Sequence, residues 1–306
     1  MSFENPEDAV GRDGLLIPSA LMAVVNDETP DDPDEYLETL VEGAADYSLT
    51  VARLMRGGFL PKQRNCNTCG RNMRLRKNKG DYKWLCRRTE NKRTFDCSTV
   101  AIRNDSWFQG CRMDFKVLLP FLIMHAKMSS DDHIQRTLDI SPKTIDDGRR
   151  MVGILTAKIV ADYPKLSGVV RVESLTLEDQ DGDLFDIFAG VQDGSVLCFA
   201  ECGLPNVLGS RASRLQRILT EKTDNAKIVR VQTKNANLTG TPFFKEKEHY
   251  ADRHMRFFSN LRRDAKKTTF PDSDALRDWL NDQVVRRVEG LGFLDTCVES
   301  ITQNFF

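Results

Sequence analysis

The feature that most constrains this chain is a run of four cysteines inside one segment: Cys66 and Cys69 in "CNTC", Cys86 after "DYKWL", and Cys97 in "RTFDC". A C-x-x-C pair sits on a tight knuckle, and Gly70 behind it can supply the positive φ that such a turn wants. The two later cysteines follow strand-like stretches and complete a tetrahedral donor set of the kind that holds Zn²⁺ in structural ribbons. The first pair is the specific half of the pattern. The second is not another C-x-x-C, because the insert "RRTENKRTFD" parts Cys86 from Cys97, so a three-cysteine or metal-free variant stays open. Four thiolates leave no open coordination position, and a zinc ion held this way is structural. The remaining cysteines, Cys111, Cys198, Cys202 and Cys297, read as buried small hydrophobes. Eight cysteines diluted over 306 residues argue against a disulfide framework.

Charge is segregated around this cluster. The chain's net charge is −1, yet residues 61–110 hold thirteen Lys/Arg against four Asp/Glu, while "NDETPDDPDEYLETLVEG" just upstream is acidic. Arg71, Arg74, Arg76, Lys77, Lys79, Lys83, Arg87 and Arg88 crowd the cysteines, followed by Lys92 and Arg93, with Tyr82 and Trp84 interleaved. Such density on a metal-held hairpin points to contact with a phosphate backbone rather than to a merely solvated face. No run of about 18 apolar residues suggests a membrane span, and the N-terminus carries no signal-like pattern, so the expected setting is inside the cell.

Residues 1–33 read as a flexible acidic leader with the short apolar patch "LLIPSALMAVV", a candidate tail for docking a protein partner. Residues 34–60 fit one helix closed by Gly57-Gly58. Residues 61–110 form the basic zinc-ribbon module, and residues 111–165 a helix-turn-helix. There, "MDFKVLLPFLIMHAKM" is helical, with Pro120 expected to kink it or begin a new helix. "LDIS" then parts two further helices, with Ser141 as N-cap and Pro142 at the first helical position. The second of these offers Lys143, Thr144, Arg149 and Arg150 early, where base and phosphate contacts arise in such motifs, although Asp146 and Asp147 weaken that reading. From residue 166 the period changes. "GVVRVESLTL", "LFDIFAGVQ", "VLCFAEC" and "AKIVRVQT" are strand-like, "ASRLQRILTEK" is a helix between the last two, and two helices follow His249. The fold class is therefore α/β (α+β).

The order of ribbon, "STVAIRNDSWF", helix-turn-helix and "SGVVRVESLTL" resembles the Merlin-type cut-and-paste DNA transposases and related bacterial insertion-sequence transposases, from about Cys66 to Arg287. Ala101-Ile102-Arg103 and Ser106-Trp107-Phe108 match a family segment of the type S-I-R-x-x-S-F-F. The resemblance implies a ribonuclease H-like core over residues 166–306, in which three acids hold two metal ions for strand transfer. Aligned on it, the first acid falls on Val172, with Glu173 beside it on the opposite face of the strand. The second falls at Gln232-Thr233-Lys234, and Asp224 is at the wrong end of that strand. The third falls on Met255, with Asp252 at an alternative position. The acidic loop bearing Glu178, Asp179, Asp181 and Asp183 reads as a solvent-facing turn.

With those carboxylates gone, the expectation is a transposase-derived, catalytically inactive DNA- or chromatin-binding protein of the nucleus, with no catalytic Mg²⁺. Its core would be kept as a scaffold or protein-interaction surface. Two rivals remain: an active metal-dependent nuclease with rearranged acids such as Glu173, Glu178 and Asp252, and a module that binds protein or RNA.

Overall fold

The computed structural model describes residues 39–40, 46–78, 81–90, 93–178, 184–203, 210–230, 252–265, 268, 270 and 272–304. Among them are eight α-helices and two β-sheets, a mixed α/β fold. No helix among them is long and apolar enough to cross a membrane. The leader 1–33 lies outside the described residues. The chain divides into two compact units, Met1–Met151 with Leu294–Phe306, and Val152–Phe293.

In the first unit, helix α1 (Tyr47–Arg56) is capped by Asp46, whose carboxylate accepts from the Ser48 and Leu49 backbone N–H groups at 2.9 and 3.2 Å. The single helix expected over residues 34–60 is thus interrupted: an Asp whose side chain binds the N–H groups ahead of it starts a helix rather than continuing one. Gly57 closes α1 as expected. Three antiparallel strands follow, β1 (Arg74–Asn78), β2 (Asp81–Glu90) and β3 (Arg93–Ala101), in spatial order β1-β2-β3. Leu75, Tyr82 and Trp84 alternate onto one face and are buried. Tyr47 joins that face to the helices, its ring 6.2 Å from Tyr82 and 5.8 Å from Phe115.

Three helices follow the sheet: α2 (Phe115–Ala126), α3 (Asp131–Leu138) and α4 (Pro142–Asp162). Helix α2 runs as one element through Pro120, so no new helix begins there. Its apolar residues Leu118, Leu119, Phe121 and Leu122 are buried around that point, and packing outweighs one lost backbone bond. Between α3 and α4 the chain turns through Asp139, in the left-handed region at φ 50°. Ser141 then caps α4 by accepting from the Thr144 N–H at 3.2 Å. The segment after β3 ties sheet to helices. Arg103 donates to the Cys111 and Met113 carbonyls at 3.0 and 2.6 Å, with its guanidinium 4.2 Å from the Phe115 ring centroid. The Trp107 indole donates to the Met151 carbonyl at 2.9 Å.

The second unit is built on β4 (Val169–Glu178), β5 (Leu184–Gln192), β6 (Cys198–Gly203) and β7 (Lys227–Arg230), in order β6-β5-β4-β7. The pairs β4–β5 and β5–β6 are antiparallel. Strand β7 returns parallel to β4 after helix α5 (Arg211–Lys222), as a parallel neighbour requires a crossover. One face, with Val170, Val172, Phe188, Phe199 and Ile228, packs with Leu215, Ile218 and Leu219 of α5. The other carries Leu177, Ile187, Ala189 and Val191 and packs with α6 (Asp252–Ala265) through Phe258 and Leu261, and with α7 (Ser273–Glu289) through Leu280 and Val284. A last helix, α8 (Phe293–Asn304), which escaped the sequence reading, falls almost entirely in the first unit.

Candidate metal centre and basic surfaces

The four thiols of Cys66, Cys69, Cys86 and Cys97 converge. Cys66 and Cys69 lie on a knuckle closed by Gly70 N–H to the Cys66 carbonyl and Cys66 N–H to the Arg71 carbonyl, both at 2.8 Å. Gly70 takes the positive φ, at 71°, that the sequence assigned to it. Cys86 and Cys97 arrive from β2 and β3, and their approach depends on an irregularity. Cys86 pairs with Ser98, and the next pair is Arg87 with Asp96, so Cys97 is an extra residue without a counterpart on β2. In a regular ladder Cys97 would face away from Cys86; the bulge re-aims it. The sulfurs of Cys66 and Cys97 are 3.7 Å apart, those of Cys69 and Cys86 3.5 Å, and all four lie within 4.8 Å of one another.

A regular tetrahedron with metal–sulfur bonds of about 2.3 Å has sulfur–sulfur edges of about 3.8 Å, so the set fits a tetrahedral thiolate ion. The spacings are far beyond a disulfide's ~2.05 Å, and all eight cysteines are free. The thiols also perturb one another electrostatically. Burial raises the Cys66 thiol, but the backbone N–H groups of Cys69 and Thr68 and the neighbouring thiols outweigh it and bring it down to about 6. Burial, then hydrogen bonding with the Cys69 and Cys66 sulfurs, pushes Cys86 up to about 12. Cys97 is raised too, chiefly by its contact with Cys66 and then by burial. Cys86 and Cys97 thus resist ionising beside the Cys66 thiolate, and a bound cation would offset that cost. Four close cysteines could therefore hold a metal ion.

No protein-family model, curated protein or solved structure matches the chain. What the site can do rests on its own residues. By alternation and register, Arg74, Arg76 and Lys83 occupy the face of the three-stranded sheet opposite Leu75 and Trp84, with Arg76 directly across from Lys83. Arg74 is exposed, while Arg76 and Lys83 are half-buried. Exposed Arg87 pairs with Asp96 at 3.0 Å. Arg71 and Arg88 are exposed, and Lys77 donates to the Ser48 hydroxyl at 3.2 Å. Lys79 and Lys92 lie outside the described residues. The interleaved aromatics correct the sequence reading: Tyr82 and Trp84 are core, at 4% and 1% exposure, because they share the face that packs on α1. The exposed aromatic is Phe95, opposite Arg88, which the sequence reading passed over; the signal was its offset from Cys97, hidden by the bulge.

On α4, Lys143 and Arg150 are exposed, and Thr144 hydrogen-bonds the Ser141 hydroxyl at 2.9 Å. Arg149 is drawn to the Asp131 carboxylate, with Asp146 4.0 Å away. Of the other cysteines, Cys198 and Cys297 are buried as expected, whereas Cys111 and Cys202 are only partly so; burial pushes Cys198 up to about 12 and Cys202 to about 11.

In the second unit, Val172 sits in the apolar cluster beneath α5. Glu173 points to the other face, 2% exposed, where Arg262 of α6 pairs with it. Thr233 and the loop residues Asp179, Asp181 and Asp183 lie outside the described residues, as do the side chains of Glu178, Asp252 and Met255.

Proposed function

We propose that this is a transposase-derived DNA-binding protein of the nucleus, with a structural zinc held by Cys66, Cys69, Cys86 and Cys97 and a ribonuclease H-like core that no longer cleaves DNA. The observation that carries the reading is a tetrahedral thiol set on a strongly basic three-stranded sheet. It is a module able to fix cations in register without offering the metal to substrate. For the core, support comes from the strand order β6-β5-β4-β7, an antiparallel trio followed by a crossover helix and a strand parallel to the first. Support for the loss of catalysis is chemical. A two-ion phosphoryl-transfer centre needs carboxylates on the same side of adjacent strands, and Val172 offers a methyl pair buried in hydrocarbon. Its neighbour Glu173 is neutralised by a guanidinium, which weighs against a rearranged enzyme.

The test is direct. Full-length protein purified without added metal carries one zinc per chain, binds mixed-sequence duplex DNA with a steep salt dependence, and leaves that DNA intact in Mg²⁺ or Mn²⁺. Metal-dependent cleavage abolished by Glu173→Gln would overturn the inactive core, and absence of zinc would overturn the ribbon.

A further inference from the structure

Resting on the reading of Cys66, Cys69, Cys86 and Cys97 as a structural zinc centre, we propose that the same quartet is an oxidation site. A hydroperoxide converts it into two disulfides, Cys66–Cys97 and Cys69–Cys86, and sets the ion free. Cys66 meets Cys97 at 3.7 Å and Cys69 meets Cys86 at 3.5 Å, so both contacts run from the knuckle to a strand. Each joins a sheltered residue to an accessible one: Cys66 and Cys86 are buried, whereas Cys69 and Cys97 are half-buried. An oxidisable pair needs that division, with one thiolate in reach of the oxidant and a second beside it to resolve the product. The bulge favours the closure of Cys66 on Cys97. Because Cys97 has no counterpart on β2, its sulfur can travel the roughly 1.6 Å to bonding distance without breaking a ladder pair.

The chemistry balances within each pair. The Cys97 thiolate attacks one peroxide oxygen, the O–O bond breaks, and Cys97 becomes a sulfenic acid as hydroxide leaves. The Cys66 thiolate then attacks that sulfur, the S–O bond breaks, and a second hydroxide leaves as the disulfide forms. The pair has given two electrons to one peroxide; Cys69 and Cys86 repeat the sequence with a second. Disulfide sulfurs are no longer thiolates, so they cease to be ligands for a divalent ion. Connectivity decides what becomes of the module. Cys66–Cys97 and Cys69–Cys86 tie the knuckle to β3 and to β2, the same ties that an ion would supply, so the three-stranded sheet stays joined to the knuckle when the metal leaves. Closure within the C-x-x-C pair, with Cys86 joined to Cys97, would instead leave the knuckle with no sulfur link to the sheet. Where the compartment keeps thiols reduced the oxidised form is transient, and thiol exchange followed by metal uptake restores the centre.

The experiment treats the zinc-loaded full chain with about two equivalents of hydrogen peroxide, follows released zinc with a chelating dye, and alkylates the remaining thiols. Trypsin leaves Cys66 and Cys69 on one peptide and Cys86 and Cys97 on two others, and tandem mass spectrometry without reduction reads the connectivity. The expected result is about one zinc released per two peroxides consumed, with both strand peptides linked to the knuckle peptide as Cys66–Cys97 and Cys69–Cys86. Amide exchange in peptides of β2 and β3 then changes less than about threefold, and dithiothreitol with zinc returns the starting species. A chain that holds its zinc through about 1 mM peroxide overturns the oxidation site alone. So does a Cys66–Cys69 disulfide, or oxidation that falls on Cys111 or Cys202 instead. A chain that carries no zinc, and takes up none when it is supplied, sinks the metal centre and this proposal with it.

Discussion

Removing Arg262 should destabilise the second unit far more than removing the carboxylate it serves. Glu173 is a strand residue 2% exposed, flanked by β5 through its partner Ala189, and its charge is matched by the Arg262 guanidinium. Cutting away one member of a buried ion pair typically costs about 3–5 kcal/mol, because the survivor stays charged without compensation. Arg262 keeps a third of its side chain in water, 33% against 1% for Glu173, so the two deletions are unequal. A stranded Arg262 can turn to solvent; a stranded Glu173 cannot. Arg262→Ala is therefore expected to cost about 3 kcal/mol, at the lower end because water already reaches that edge of the pair, and Glu173→Gln about 1 kcal/mol. In a unit of this size the former lowers Tm by about 10 °C. The double substitution Glu173→Leu with Arg262→Leu recovers most of the loss, since apolar replacement of both partners is often neutral or better. Differential scanning calorimetry of the three variants, with Mn²⁺ present and absent, reads these shifts. A Tm change below about 2 °C for Arg262→Ala, or a rescue of that variant by Mn²⁺ rather than by the double substitution, would refute the view of Glu173 as a structural carboxylate.

Two further outcomes follow from local geometry. Zinc affinity should fall as pH is lowered, because Cys86 and Cys97 hold their protons through neutral pH in the metal-free quartet and the ion must displace them; chelator competition between pH 8 and pH 6 should show a loss of about tenfold per pH unit for each proton displaced, and a flat profile would remove these thiols from the site. Gly148→Ala puts a Cβ 2.6 Å from the Phe121 ring, an overlap costing about 1–3 kcal/mol against a helix-propensity gain of about 1, so thermal melts should show a net loss that Phe121→Leu converts into a gain.

The fold class was legible because hydrophobic period changes sharply near residue 166, from helical spacing in α4 to the alternation of β4 and β5. The α3–α4 turn was legible because Ser141-Pro142 combines a cap with a residue that needs no N–H donor. Side-chain direction in the three-stranded sheet was not. Tyr82 and Trp84 flank Lys83 in a basic segment, a pattern that suits a basic, aromatic binding face and a half-buried strand equally well, and tertiary packing on α1 decides between them. Helix α8 was missed since "FLDTCVESITQN" carries β-branched residues and no cap signal. The break at Asp46 was missed because acidic residues precede it throughout, masking the one that caps.

The bulge at Cys97 shows why metal and fold belong together in this module. Strand register in a thin three-stranded sheet is set by which face is apolar, and slipping β3 by one residue costs little when its own side chains are small, with Ser98 and Val100 only partly buried and Thr99 exposed. On β2 the consequence is large, because Cys86 and Trp84 share a face and the sulfur can meet Cys97 only with the extra residue in place. A bound ion holding all four sulfurs at tetrahedral spacing admits one register alone. The separate β1–β2 register sets Arg76 across from Lys83, with Trp84 on the buried face. By tying the Cys66/Cys69 knuckle ahead of β1 to Cys86 on β2, a bound ion would hold that register as well as the bulge.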